Sequence, residues 1–171
     1  VRSFMLDMYP ATLATNSEAD PFENCCYFDT DYGSMPSEFP PYEFTYGGLR
    51  QRLTNQALMM NKSPLVRMAP DVRYLVNNHY HTHLKTADIT TALLHYKFAG
   101  AIEERLWEAI ERKEHVMRAR FYKTLDESLQ MVDRDNPFLT EFSRQLKSVS
   151  DLEAENLITT SPDWESFGRD D

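Results

Sequence analysis

Residues 92–98, ALLHYKF, constrain the fold of this chain more than any other stretch. A short apolar start is followed by an alternation of His95 and Lys97 with Tyr96 and Phe98. Alternation with a period of two predicts a β-strand that has one apolar and one polar face. The strand would direct an imidazole and an ammonium group to the same side, which makes this face a candidate site. The alternative is a polar face that only meets water.

Composition limits the classes of protein to which the chain can belong. Its 171 residues, of which 42% are hydrophobic, suffice for one domain with a real core. A net charge of -9 argues against a general nucleic-acid binder. No apolar run approaches the length of a membrane span, and no signal-peptide pattern opens the chain. Cys25 and Cys26 are adjacent, so we expect buried thiols in a cytoplasmic protein rather than a disulfide.

The charge is unevenly distributed. Residues 47–98 contain seven basic and two acidic residues, a net charge of +5 within a chain whose net charge is -9. A basic block inside an acidic protein suggests a local anion site. The alternative is that these basic residues pair with the acidic helix that follows.

Two acidic motifs lie near the beginning of the chain. Residues 2–9, RSFMLDMY, predict a short strand, and Asp7 lies near its end. Functional acids are common at strand ends in α/β folds, although a turn residue is equally compatible with the pattern. Asp29 and Asp31 have the DxD form that can bind a divalent metal, but in a loop such a pair usually forms turns.

A pair of glycines precedes two arginines in residues 46–53, YGGLRQRL. If the segment is extended, Arg50 and Arg52 project to the same side. Two guanidinium groups behind a glycine pair suit a phosphate or a carboxylate, because each can bind two oxygens at once. The alternative is a hairpin turn followed by surface arginines.

The rest of the chain contains further strands, alternating histidines and helices. Residues 63–69 and 72–76 predict two strands around a turn, and His79, His81 and His83 then alternate as in a zinc site or a structural stripe. Apolar residues at helical spacing from 102 to 132 predict one long helix, or two with a break near Lys113. Asn136 and Pro137 predict the start of a shorter helix that continues to residue 146.

Six motifs occur in an order that resembles a known family. They are LDMYP, YFD, GGLRQRL, KSPLVR, RYLVNNH and ALLHYKF, the last followed by a charged helix. From about residue 2 to 125 the chain resembles the C-terminal half of family 2-like glycosyltransferases, in the branch with a GG-x-R-x-R loop and an LLH[FY]KF strand. The resemblance implies an α/β fold, the C-terminal part of a GT-A-like fold, with a mixed sheet followed by long helices. Residues 1–133 would form the glycosyltransferase-like region, and 134–171 would add short helices and an acidic tail.

The resemblance also implies an activity. Such enzymes transfer a sugar from a nucleotide-sugar donor to a hydroxyl of a glycan or another acceptor, with a divalent cation, Mn or Mg. Their nucleotide-binding strands and DxD motif lie in the N-terminal half, which we expect to precede Val1. The pair Asp29 and Asp31 follows LDMYP and does not correspond to that DxD motif.

Carried over residue by residue, the resemblance implies a set of roles. Arg50, Arg52 and Lys97 would bind the donor diphosphate, His79 and His95 would ligate the metal or contact the leaving group, and Asp7 would be the general base. Two other functions remain open: a catalytically silent module that binds an anionic glycan or a phosphorylated ligand, and a zinc domain built on His79, His81 and His83. If the N-terminal half is absent, an uncovered sheet edge and apolar face favour a homo-oligomer.

Overall fold

The structure is a computed structural model that describes residues 1–13, 20–37, 43–76, 78–82, 86–113, 116–133, 135 and 138–167. The chain is a mixed α/β protein, which confirms the predicted class. No helix in these residues is both long enough and apolar enough to cross a membrane.

Fifteen elements follow one another within these residues, and most of the strands are short. They are β1 (Arg2–Asp7), α1 (Pro21–Asn24), β2 (Tyr27–Asp29), β3 (Tyr32–Pro36), β4 (Glu43–Gly47), α2 (Gly48–Thr54), β5 (Asn61–Lys62), β6 (Tyr74–Val76), β7 (Tyr80–His81), β8 (Thr90–His95), α3 (Ile102–Arg112), α4 (Val116–Met131), β9 (Ser143–Gln145), α5 (Val149–Ala154) and α6 (Pro162–Phe167).

The largest sheet has three strands in the order β5-β1-β8. Strand β5 is antiparallel to β1, whereas β8 is parallel to it, in a register that runs from Arg2 opposite Thr90 to Asp7 opposite His95. The sheet is therefore mixed, as predicted. Because β1 and β8 are parallel, their carboxyl ends lie side by side, and each ends in a polar residue.

Three two-stranded sheets surround this one: β2 with β9, β3 with β4, and β6 with β7. The first brings Tyr27 opposite Gln145. The helix predicted from residue 136 to 146 is therefore wrong for its described part, where residues 143–145 form an edge strand on β2. The strand predicted for residues 63–69 is also wrong, because that segment has no regular structure.

The two long helices form a hairpin over the core. Helix α3 ends at Arg112, and Lys113 adopts a left-handed conformation with φ 54°, which confirms two helices with a break at this point. Their inner faces form one hydrophobic cluster with residues from other elements, whose buried members are Tyr9, Leu49, Phe98, Ile102, Leu106, Leu125, Leu129 and Phe138. A second cluster around Leu6, Met8 and Phe28 lies under the three-stranded sheet.

Strand β8 ends earlier than the alternating pattern predicts. It stops at His95, and the amide of Ala99 donates to the carbonyl of Tyr96 across a turn. Lys97 therefore lies in the connection to α3 rather than on the strand. The turn places its ammonium group over the rings of Phe121 and Tyr122 on α4.

Both thiols are free, but they differ in burial. Cys25 is 1% exposed, whereas Cys26 is partly exposed. Burial raises the pKa of Cys25 to about 11, so at pH 8 only about 0.1% of it is thiolate. We expect a disulfide reagent at pH 8 to modify Cys26 rapidly and Cys25 only on unfolding, as followed by absorbance. Two equally fast thiols in the folded protein would contradict this expectation.

Candidate functional site

The candidate site is built around Asp7, at the carboxyl end of β1. Its side chain is buried, and both of its oxygens accept hydrogen bonds. Arg50 Nε donates to Oδ2 at 2.8 Å, and His95 Nδ1 lies 3.1 Å from Oδ1. Because a carboxylate only accepts, Nδ1 carries the proton, and Nε2 remains as the second functional nitrogen of the ring.

Arg50 reaches Asp7 from a helix, so the condition under which Arg50 and Arg52 would project to the same side, an extended segment, is not met. Residues 48–54 form α2, directly after Gly47. On a helix, residues two apart lie on opposite sides, and Arg50 and Arg52 accordingly have different partners. Arg50 is 8% exposed, and its Nη2 also lies 3.3 Å from the sulfur of Met60.

The glycine pair serves packing and backbone geometry in this structure. Gly47 has φ 134° and Gly48 has φ 70°, both in the region that favours glycine. A Cβ atom on Gly47 would lie 2.3 Å from the carbonyl oxygen of Asp31, and one on Gly48 would lie 2.8 Å from the hydroxyl of Tyr32. The pair thus lets the β3–β4 hairpin lie against the start of α2.

Arg52 makes a second ion pair, with Asp29 at the end of β2. Its Nη2 donates to Oδ2 at 3.0 Å and its Nε to the same oxygen at 3.2 Å. The hydroxyl of Tyr9 also donates to Asp29, and it lies 2.8 Å from Ser143 Oγ. Burial, with the charge of Asp29, raises the pKa of Tyr9 well above its usual value. This network connects α2, β2 and β9 with Tyr9, which follows β1.

Asp29 is therefore a buried partner rather than a surface turn residue. It is 1% exposed. Sequence reasoning did not place it in a site, although the same signal that marked Asp7 was present: an acid that ends an apolar run, here YFD. Arg50 and Arg52 of the basic block thus pair with acids that end strands rather than with the acidic helix.

Lys97 lies in the turn after β8, against the helix hairpin. Its Nζ is 4.0 Å from the ring centre of Tyr122 and 5.2 Å from that of Phe121. Burial, and after it the positive charge of Arg50, lower the pKa of Lys97 to about 8. The sequence contained no signal for Tyr122, whose place beside Lys97 depends on the packing of α3 and α4.

His79 lies at the opposite edge of the sheet from His95. Its Nδ1 donates to the carbonyl of Asn61 at 2.6 Å, and its Nε2 lies 3.1 Å from Lys62 Nζ. Burial is the main cause that lowers the pKa of both His79 and Lys62, and the charge of Arg50 acts in the same direction. A metal on Nε2 would have to displace the lysine.

The residues that the structure describes contain no group of three or more His, Cys, Asp or Glu side chains arranged to hold a metal ion. His81 is 4% exposed, and His83 lies outside the described residues. Of the six residues predicted for the site, Asp7, Arg50, His95 and Lys97 surround one region. Arg52 and His79 lie in neighbouring networks.

The fold and this site define an α/β protein with a cluster of a buried Asp, a buried Arg and a partly exposed His at the carboxyl edge of two parallel strands. Comparisons of the chain with family models, with curated proteins and with solved structures found no match. The case for a function therefore depends on the geometry of the cluster and on the order of the motifs in the sequence.

Proposed function

We propose that this chain is a glycosyltransferase, or a part of one, with a GT-A-like fold, and that it transfers a sugar from a nucleotide-sugar donor to an acceptor hydroxyl. The observation that carries the proposal is the cluster of Asp7, Arg50 and His95. Ligands of α/β proteins bind outside the carboxyl ends of parallel strands, which is where these side chains meet. Lys97 adds positive charge beside them.

In this proposal the general base is His95, and Asp7 positions it. The side chain of Asp7 is 0% exposed and both its oxygens are occupied, whereas that of His95 is 35% exposed. A buried carboxylate that accepts from Nδ1 holds the ring in the tautomer whose Nε2 takes a proton. The motif resemblance implied that Asp7 is the general base, whereas in this proposal the general base is His95, which Asp7 holds in position.

The step balances with the groups present. The acceptor oxygen attacks the anomeric carbon, its proton passes to Nε2 of His95, and the bond between the sugar and the diphosphate breaks. The diphosphate leaves with the electron pair, and Lys97 and Arg50 stabilise its charge. Arg52, engaged with Asp29, holds α2 in place and thereby positions Arg50.

The proposal includes a divalent cation, Mn or Mg, because the motif resemblance implies one. His95 would be available to it only through Nε2, and His79 only if Lys62 moved away. The described residues thus do not form a metal site by themselves. No step above passes through a metal.

The experiment measures release of nucleoside diphosphate from UDP-, GDP- and dTDP-sugars with manganese present, and binding of the diphosphates by calorimetry. In His95→Asn, the side-chain amide keeps the hydrogen bond to Asp7 but removes the base. We expect turnover to fall about 10²- to 10⁴-fold while diphosphate binding is unchanged.

The matched control is Lys123→Ala, an exposed position on α4, which should leave both turnover and binding unchanged. A folded chain that neither binds a nucleoside diphosphate nor releases one from any of these donors would overturn the glycosyltransferase proposal. Full turnover in His95→Asn would overturn the assignment of the base alone. Binding without turnover in the wild type would favour the alternative of a silent binding module.

A further inference from the structure

A cavity of about 290 Å³ lies between α3 and α4, beside the turn that carries Lys97. Its walls combine positive charge with apolar surface. They are formed by Lys97, Ile102, Arg105, Leu106, Glu108, Ala109, Arg112 and Tyr122. Three cationic side chains face one carboxylate, so the lining carries an excess of positive charge. Chains usually balance a partly buried excess of this kind with a counter-ion or a ligand.

The ammonium group of Lys97 is the least compensated charge in the lining. It lies over the rings of Tyr122 and Phe121, but no described residue accepts a hydrogen bond from it. Asp7, whose negative charge acts on Lys97, already binds Arg50 and His95. Three N–H donors are thus held next to a cavity, in surroundings where burial and other cations disfavour their charge.

Arg105 ties the backbone of the turn that carries Lys97 to helix α3. Its Nη2 donates to the carbonyl of Lys97 at 2.9 Å and also to the carbonyl of Ala99. The turn before α3 is therefore tied to the first turns of that helix. Arg112 forms an i,i+4 pair with Glu108, in which both side chains are about half exposed. Arg105 and Arg112 extend the positive charge from Lys97 along the lining of α3.

We infer that the cavity between α3 and α4 is a binding site for a phosphate group, held by Lys97 with Arg105 and Arg112. A phosphate at neutral pH carries about −1.5 to −2 charges, which matches the excess of positive charge in the lining. The apolar wall of Ile102 and Leu106 and the ring of Tyr122 would pack against the rest of the ligand. The site does not require sugar transfer. Only the identification of the phosphate with that of the donor rests on the proposed function.

The test is a calorimetric titration of the chain with inorganic pyrophosphate at fixed ionic strength, compared between Lys97→Met and Lys123→Ala. Methionine keeps the aliphatic packing against the two rings but removes the ammonium group. We expect pyrophosphate affinity to fall at least about tenfold in Lys97→Met, a charge-assisted contact of about 1.4 kcal/mol, and to stay unchanged in Lys123→Ala. No binding by the folded wild type, or equal losses in both variants, would overturn the inference.

Competition identifies the source of the phosphate. If a nucleoside diphosphate displaces pyrophosphate and also loses affinity in Lys97→Met, the cavity holds the donor diphosphate. If the two bind together, the cavity holds the phosphate of a different ligand, such as a phosphorylated acceptor. Both outcomes support the site. Failure of the glycosyltransferase proposal is recognised separately, by the absence of turnover and nucleoside diphosphate binding while the pyrophosphate titration stays positive.

Discussion

Replacement of Asp7 by asparagine is expected to lower the free energy of unfolding by about 3–5 kcal/mol, because it leaves the buried guanidinium of Arg50 without its counter-charge. The substitution keeps the size of the side chain, so the loss reports on charge rather than on a cavity. For a chain of this length it corresponds to a fall in Tm of about 10 °C. Urea denaturation followed by circular dichroism measures it.

The matched control is Glu108→Gln, which breaks an exposed pair on α3 and should lower stability by less than about 0.5 kcal/mol. The double variant Asp7→Asn, Arg50→Met should lose less than the sum of the two single changes, because it removes both charges. A loss below about 1 kcal/mol in Asp7→Asn would mean that Arg50 does not depend on this carboxylate.

Gly47→Ala is expected to destabilise the protein by about 3 kcal/mol or more. Gly47 has φ 134° and ψ -160°, a conformation that residues with a Cβ atom rarely adopt. The new Cβ would also meet the carbonyl oxygen of Asp31 at 2.3 Å and the Cα of Tyr32 at 2.8 Å, both of which are backbone atoms. Relief of this clash must shift the start of α2, so we also expect nucleoside diphosphate binding to weaken.

Gly100→Ala provides the comparison. Gly100 also has a positive φ, 63°, but no atom would lie within 4 Å of its Cβ. The expected destabilisation of Gly100→Ala is therefore only the cost of holding alanine in a left-handed backbone conformation, about 1–2 kcal/mol. Denaturation curves of the two variants under the same conditions separate the contributions. If the two variants lose the same free energy of unfolding, the β3–β4 hairpin shifts to make room for the extra methyl group at residue 47. That result would contradict the close approach of Asp31 to Gly47.

Part of the fold follows from local pattern. The apolar run that ends in Asp7 predicts β1, and helical spacing predicts the hairpin of α3 and α4 with its break near Lys113. Other parts depend on partners that are distant in sequence. Residues 143–145 form a strand only because Tyr27 and its neighbours offer an edge, and α2 has seven residues, too few for a helical period to emerge.

The sequence predicts which residues belong to the candidate site better than it predicts how their side chains are arranged. Asp7, Arg50 and the pair His95 and Lys97 stand out in three separate motifs, and the structure brings them to one region. The pattern does not reveal that Arg50 and Arg52 have different acids as partners, because that follows from the helical turn between them. Nor does it reveal Tyr122, since aromatic residues on a long helix usually belong to the core.

The pairing of β1 with β8 determines when the candidate site forms. Asp7 and His95 are 88 residues apart, and the intervening chain must be present before the two strands align. At synthesis rates of about 5–20 residues per second, His95 is added to the chain roughly 5–20 s after Asp7. Meanwhile the β3–β4 hairpin and α2 can already form from local contacts. Arg50 can therefore engage Asp7 before His95 is made, so we expect this ion pair to form before β8 docks beside β1.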